Sequence, residues 1–204
     1  MIKNIVWDMG NVLADFNVKK IIQGLPIKEE NRDRILKEVF QSPDWIRLDA
    51  GDLYEPWELV QAVWERTPED LHEDVKTAVE HWYEYTMEPM KETEALVRRL
   101  KAAGYHQYVL SNAGVQFREY QDTIPAFSLM DGLYVSAFHK MMKPEKRIYE
   151  GMLSEFGLKA EECVFIDDNH VNVAGAMIQK MKGIVYKGDA RLLEEELRKL
   201  GVNF

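Results

Sequence analysis

The strongest constraint on the fold of this chain is the order of four short segments: IVWDMGNVL around Asp8, YVLSN ending at Asn112, KPEKRIYE from Lys143, and VFIDDNHVN around Asp167 and Asp168. Counted from Asp8 to Asn112, Lys143 and Asp167, they lie 104, 31 and 24 residues apart. Three of the four follow an apolar, β-branched or aromatic run, which sets their polar residues at the carboxyl ends of strands, where open α/β sheets hold their ligand crevice. A carboxylate, a small polar loop, a lysine and a carboxylate pair then converge. That set suits a phosphate ester held beside a magnesium ion.

Periodicity divides the chain in two. After the first strand pattern, residues from about 15 to 87 read almost entirely as helix, with apolar positions three and four apart in 32–40, 56–65 and 69–85. Pro56 suits a first helical turn, and Thr67 with Glu69 and Asp70 reads as an amino-terminal cap signal. After Pro89 the pattern alternates: helix 91–103, strand 105–110, strands 133–135, 163–166 and 183–186, and helices 145–156, 171–180 and 190–200. Alternation of this kind predicts an α/β fold, a doubly wound parallel sheet with right-handed crossovers. The helical block is then an inserted α-helical cap subdomain, residues 15–88, on a core made of residues 1–14 and 89–204.

Composition narrows the partners. A formal net charge of −9 argues against nucleic acid and anionic membranes, and the expected partner is a small phosphorylated metabolite. The single cysteine, Cys163, excludes an intramolecular disulfide framework and reads as a core residue of its strand. No apolar run approaches the roughly 20 residues needed to span a bilayer, and the first residues enter a strand pattern rather than a signal peptide. The expectation is a cytoplasmic protein, monomeric or weakly homo-oligomeric.

In order and spacing the four segments resemble the haloacid dehalogenase superfamily, and the resemblance spans nearly the whole chain. It implies a Rossmann-like core and a phosphatase in which Asp8 is the nucleophile, forming an aspartyl phosphate that water then hydrolyses. It also implies Mg2+ held by the Asp8 carboxylate, the Gly10 carbonyl and a motif acid, Asp168, with Asp167 acting through water or as a supporting acceptor. Lys143 is implied as the charge offsetting the phosphoryl oxygens, so that Lys143→Ala damages turnover without unfolding the protein. Ser111, Asn112 and Ala113 are implied as the phosphate cradle, the Ser111 hydroxyl with backbone amides around Asn112 and Ala113. In the cap, the stretch from Trp45 to Gly51 is the expected source of specificity, with Arg47 reaching a hydroxyl-rich or anionic substrate tail.

Each residue also has a plainer reading. Asp8 alone is a turn former, Asp167 and Asp168 form a helix cap, Lys143 before Pro144 is a helix start, and Arg47 is a solvated helix end. His139 is not read as catalytic.

One departure matters most. Phosphatases of this superfamily mostly carry an aspartate two residues after the nucleophile to protonate the leaving oxygen; here that position is Gly10. General acid–base catalysis is worth about 10²–10⁴ in rate. Slow turnover follows, or a preference for esters whose leaving oxygen needs little protonation, such as anomeric, aryl or acyl phosphates. A similar motif occurs in bacterial members resembling sugar-1-phosphate phosphatases. A haloacid dehalogenase, which does not need the acid pair, a phosphomutase, and a phosphate-binding regulator with weak or no catalysis are the alternatives.

Overall fold

The computed structural model describes residues 1–204. Its strands are β1 (Asn4–Trp7), β2 (Ala14–Asp15), β3 (Glu88–Pro89), β4 (His106–Ser111), β5 (Gly132–Val135), β6 (Cys163–Asp167) and β7 (Lys182–Val185). Five of them form one parallel sheet in the order β5-β4-β1-β6-β7. β1 is central and fully buried, with Trp7 registered against Val109 on one side and Ile166 on the other. The chain builds outward from β1 in both directions, so the order reverses beside it, and such a switch point opens a crevice at the carboxyl ends. The segments around Asp8, Ser111 and Asp167 all end there.

Apolar residues on both faces explain the burial. One core cluster on the sheet takes in Tyr149, Met152 and Phe165, and the other continues from Trp7 and Ile166 into the helical insert. The buried Trp7 indole donates to Gln107 Oε1 (3.0 Å), and Gln107 Nε2 donates to the Val97 carbonyl (2.9 Å), so this polar pair carries no orphaned donor. Helices Lys91–Ala102, Lys146–Glu155 and Ala190–Lys199 lie within the expected ranges, and His170–Ile178 starts one residue before its own. Strand ends shift by a residue: the Tyr105 amide closes the preceding helix on the Leu100 carbonyl, and β4 starts at His106. The helical turns Phe117–Tyr120 and Pro125–Leu129 fill a stretch that showed no periodic pattern.

Between β2 and β3 the insert is helical: Val18–Gly24, Arg32–Ile35 continuing through the wider turn Leu36–Phe40, Pro43–Asp49, Pro56–Trp64 and His72–His81. Asn17 and Ser42 cap two of these helices by accepting backbone N–H groups of the first turn. Thr67 does not cap as expected. Its hydroxyl donates instead to the Val63 carbonyl (2.8 Å), closing the previous helix. β2 and β3, too short to show a period, pair antiparallel where the chain leaves and re-enters the sheet region. No helix is long and apolar enough to cross a membrane.

Candidate active site

Asp8 leaves β1 into a tight turn in which the amides of Val12, Leu13 and Ala14 converge on the Met9 carbonyl and Asn11 donates to Ala14. Asn11 takes a left-handed φ of 56°, a conformation that asparagine tolerates. None of these bonds uses the Gly10 carbonyl, which is left available at the cleft floor.

Lys143 organises the floor. Its Nζ donates to Asp8 Oδ1 and to Asp167 Oδ2, each at 2.7 Å, and it is only 2% exposed. Asn112 fixes this lysine through the backbone: its Nδ2 donates to the Lys143 carbonyl (2.9 Å), and its Oδ1 accepts the Lys143 N–H (2.8 Å). Asp167 is fully buried and fully partnered, accepting from the Asn169 amide (2.8 Å) and from Asn172 Nδ2 (3.1 and 3.2 Å) besides Lys143. Asp168 is exposed, with Oδ2 accepting from Asn11 Nδ2 at 3.0 Å.

Burial pushes the Asp8 carboxyl up to about 7; Lys143 pulls it down and Asp167 raises it further. For Lys143, burial alone would lower the ammonium, but the charges and hydrogen bonds of Asp8 and Asp167 outweigh it and raise it above its ordinary value. One lysine thus faces two buried carboxylates and a third nearby. Carboxylate oxygens of Asp8, Asp167 and Asp168 lie within 4.8 Å of one another. Such an all-oxygen, net-negative cluster fits Mg2+, and with both Asp167 oxygens engaged, the groups that keep an oxygen outside these bonds are Asp8, Asp168 and the Gly10 carbonyl.

The floor opens into a cleft of about 180 Å³ whose walls include Phe16, Trp45, Trp82 and Tyr120. Trp82 packs edge-on against Phe16 (5.7 Å), Trp45 (5.5 Å) and Tyr120 (5.5 Å). Its indole donates to Gln116 Oε1 (3.2 Å) and Gln116 Nε2 donates to the Val79 carbonyl (2.8 Å), stitching the insert to the sheet region. Trp57 and Trp64 instead pack on each other within the insert.

The expected residues separate accordingly. Asp8, Gly10, Ser111, Asn112, Ala113, Lys143 and Asp168 all line the cleft, and Asp167 stands directly behind Lys143. Within the expected cradle the Ala113 backbone amide donates to Ser136 Oγ (2.9 Å) and the Asn112 side-chain amide donates to the Lys143 carbonyl, while Ser111 lines the cleft beside them. Arg47 is outside it, half exposed and paired with Asp44 at 2.8 Å, because helix Pro43–Asp49 turns that side to solvent. Lys143 bridges two buried carboxylates, so its removal is expected to cost stability as well as turnover. Asn11, Asn172, Ser136 and Asp49 were not singled out. Three of them had a signal: Asn11 and Asn172 lie within the segments around Asp8 and the acid pair, and Asp49 within the stretch from Trp45 to Gly51.

Residues 2–177 match the haloacid dehalogenase-like hydrolase family, to which this chain belongs. It is 25% identical, over 97% of its length and 96% of the relative's, to a sesquiterpene phosphatase of Aspergillus oryzae. A flavin mononucleotide hydrolase of Arabidopsis thaliana is 24% identical over 88% of this chain and 69% of its own. Among solved structures, a haloacid dehalogenase family enzyme of Bacteroides thetaiotaomicron in complex with magnesium and inorganic phosphate superposes with a TM-score of 0.67 at 21% identity, covering 92% of this chain and 96% of that one.

Proposed function

We propose that this protein is a magnesium-dependent phosphomonoesterase that transfers the phosphoryl group of a small metabolite to Asp8 and releases it to water. The observation that carries this reading is the Asp8–Lys143–Asp167 bridge, with both contacts at 2.7 Å, opening beside Asp168 into the cleft. Lys143 holds Asp8 in place and offsets the charge of the incoming phosphoryl oxygens, while Ser111 lines the oxygen side. Asp8, Asp168 and the Gly10 carbonyl would hold Mg2+, which would neutralise phosphoryl charge when bound. The two relatives named for phosphate-ester hydrolysis point the same way. The acid pair argues against a dehalogenase.

The helical insert acts as a cap that sets specificity. Its aromatic wall and the cleft's small volume favour a compact leaving group with an apolar or ring face, of which a sugar 1-phosphate is one. The test is phosphate release from p-nitrophenyl phosphate and glucose 1-phosphate, with and without Mg2+, beside Asp8→Asn. Release that needs Mg2+ and vanishes in the variant is expected. Release that persists in Asp8→Asn contradicts the assignment, and phosphate binding without turnover supports a regulator instead.

A further inference from the structure

Gly10 leaves Asp8 without the neighbouring carboxylate that would protonate a leaving oxygen, but the opposite wall of the cleft carries one. Asp49 ends helix Pro43–Asp49 and lines the same cavity as Asp8, Lys143 and Ser111. Two contacts hold it there. Ser136 Oγ donates to the Asp49 carbonyl (2.5 Å) while accepting the Ala113 amide (2.9 Å), so the helix end is tied to the ends of β4 and β5. Two residues on, Gly51 has a φ of 74° and presses on the Ala137 carbonyl, where a Cβ would come within 2.4 Å. Only glycine permits that approach.

Asp49 differs from the floor carboxylates in having no cation of its own. The neighbouring guanidinium groups of Arg47 and Arg66 both pair with Asp44. The groups around Asp49 are the Gly114 amide, the buried Tyr120 phenol and the aromatic wall, with Asp8 and Lys143 on the floor. Burial pushes its carboxyl up to about 7, against the opposing pull of the Gly114 amide. A carboxyl in that range can give and take a proton near neutrality.

We infer that Asp49 is the general acid and base of phosphoryl transfer, doing from the insert what a carboxylate at position 10 would do from the sheet. The inference rests on the phosphomonoesterase reading above. In the first step an Asp8 oxygen bonds to phosphorus, the bond from phosphorus to the leaving oxygen breaks, and that oxygen takes the Asp49 proton. In the second, water bonds to phosphorus, the bond to Asp8 breaks, and the water proton returns to the Asp49 carboxylate. With this group in place, the preference for activated esters implied by Gly10 is lifted.

The test compares kcat/KM of wild type and Asp49→Asn on ethyl phosphate and on p-nitrophenyl phosphate with Mg2+. Because nitrophenolate leaves without protonation, a loss of about 10²-fold or more on the ethyl ester is expected, with less than about tenfold on the aryl ester. Adding Gly10→Asp to the variant should restore the ethyl ester, since a Cβ there meets only Phe16 Cβ, at an ordinary 3.6 Å. Equal losses on both esters, or none on the ethyl ester, would overturn the assignment and leave Asp49 a shaping residue. A wild type inert toward both esters with Mg2+ would overturn the phosphomonoesterase reading itself, and this inference with it.

Discussion

The floor and the roof of the cleft are built on opposite principles. On the floor the polar groups are tied into one network that keeps a net negative charge: Lys143 bridges Asp8 and Asp167, Asn112 holds the lysine backbone, and Asn169 and Asn172 donate to Asp167. On the roof, Asp49 has only the Gly114 amide and aromatic neighbours, and burial makes it keep its proton to a higher pH than an ordinary carboxyl does. A fully partnered network suits holding geometry, whereas an under-partnered carboxyl suits moving a proton. Substitutions should therefore cost stability on the floor and proton transfer on the roof.

The largest expected effect comes from the centre of the floor. Asp8→Asn should reduce phosphate release by at least about 10³-fold, measured at saturating p-nitrophenyl phosphate and Mg2+, because no nucleophile replaces it. Lys143→Met follows, and here both activity and fold suffer: two buried carboxylates lose their cation, at a cost of about 3–5 kcal/mol in urea unfolding. Stability unchanged within about 1 kcal/mol would mean that the bridge does not organise the floor. Asn112→Ala removes two hydrogen bonds to the Lys143 backbone and should cost about 1–3 kcal/mol, with turnover lowered by loss of lysine positioning.

On the roof the sign should invert. Asp49 carries a raised carboxyl, so the folded protein keeps a proton that the unfolded chain gives up above its ordinary value of 3.8, and stability drains away as pH rises from there to about 7. Asp49→Asn removes that cost and should raise the thermal midpoint at pH 8 relative to wild type while leaving it little changed at pH 4. A midpoint lowered at pH 8 would place Asp49 among the stabilising residues of the floor type.

The smallest effect lies away from the cleft, at Glu194. Hydrogen bonds from Arg99 and Arg198 hold its carboxyl down at about 2 on an exposed surface. Its contribution is present above the ordinary carboxylate range and is lost as pH falls from about 4.5 toward 2. Glu194→Gln should lower the thermal midpoint slightly at pH 7 and not at pH 2, and by less in high salt.

The same contrast explains what could be read from the chain. The floor was legible because its residues sit where strands end, and a strand fixes the position and direction of the next residue: Asp8, Ser111 and Asp167 follow runs whose period is plain in the sequence. Lys143 was legible by company rather than by pattern, and its burial was not. A lysine before a proline reads as exposed until its two carboxylates are known to meet it across 135 and 24 residues. The roof was legible as helix, with the stretch from Trp45 to Gly51 marked for specificity, but not residue by residue. Which side of a short helix faces the sheet depends on how the insert docks, so Arg47 and Asp49, two residues apart, exchange roles: one pairs with Asp44 in solvent and the other lines the cleft. Nor could spacing reveal that the Asn112 amide serves Lys143 or that Ser136 takes the Ala113 amide, since both are contacts between loops.

The central claim is that Asp8 carries the phosphoryl group between two displacements. Acid-quenching the enzyme within milliseconds of mixing with p-nitrophenyl phosphate and Mg2+, then mapping phosphorylation by peptide mass spectrometry, tests it most directly. A phosphoryl mass increment is expected on the peptide containing Asp8, absent in Asp8→Asn and chased away with time. Steady turnover with no phosphorylated peptide at any quench time, or with the phosphoryl group on another residue, would contradict it.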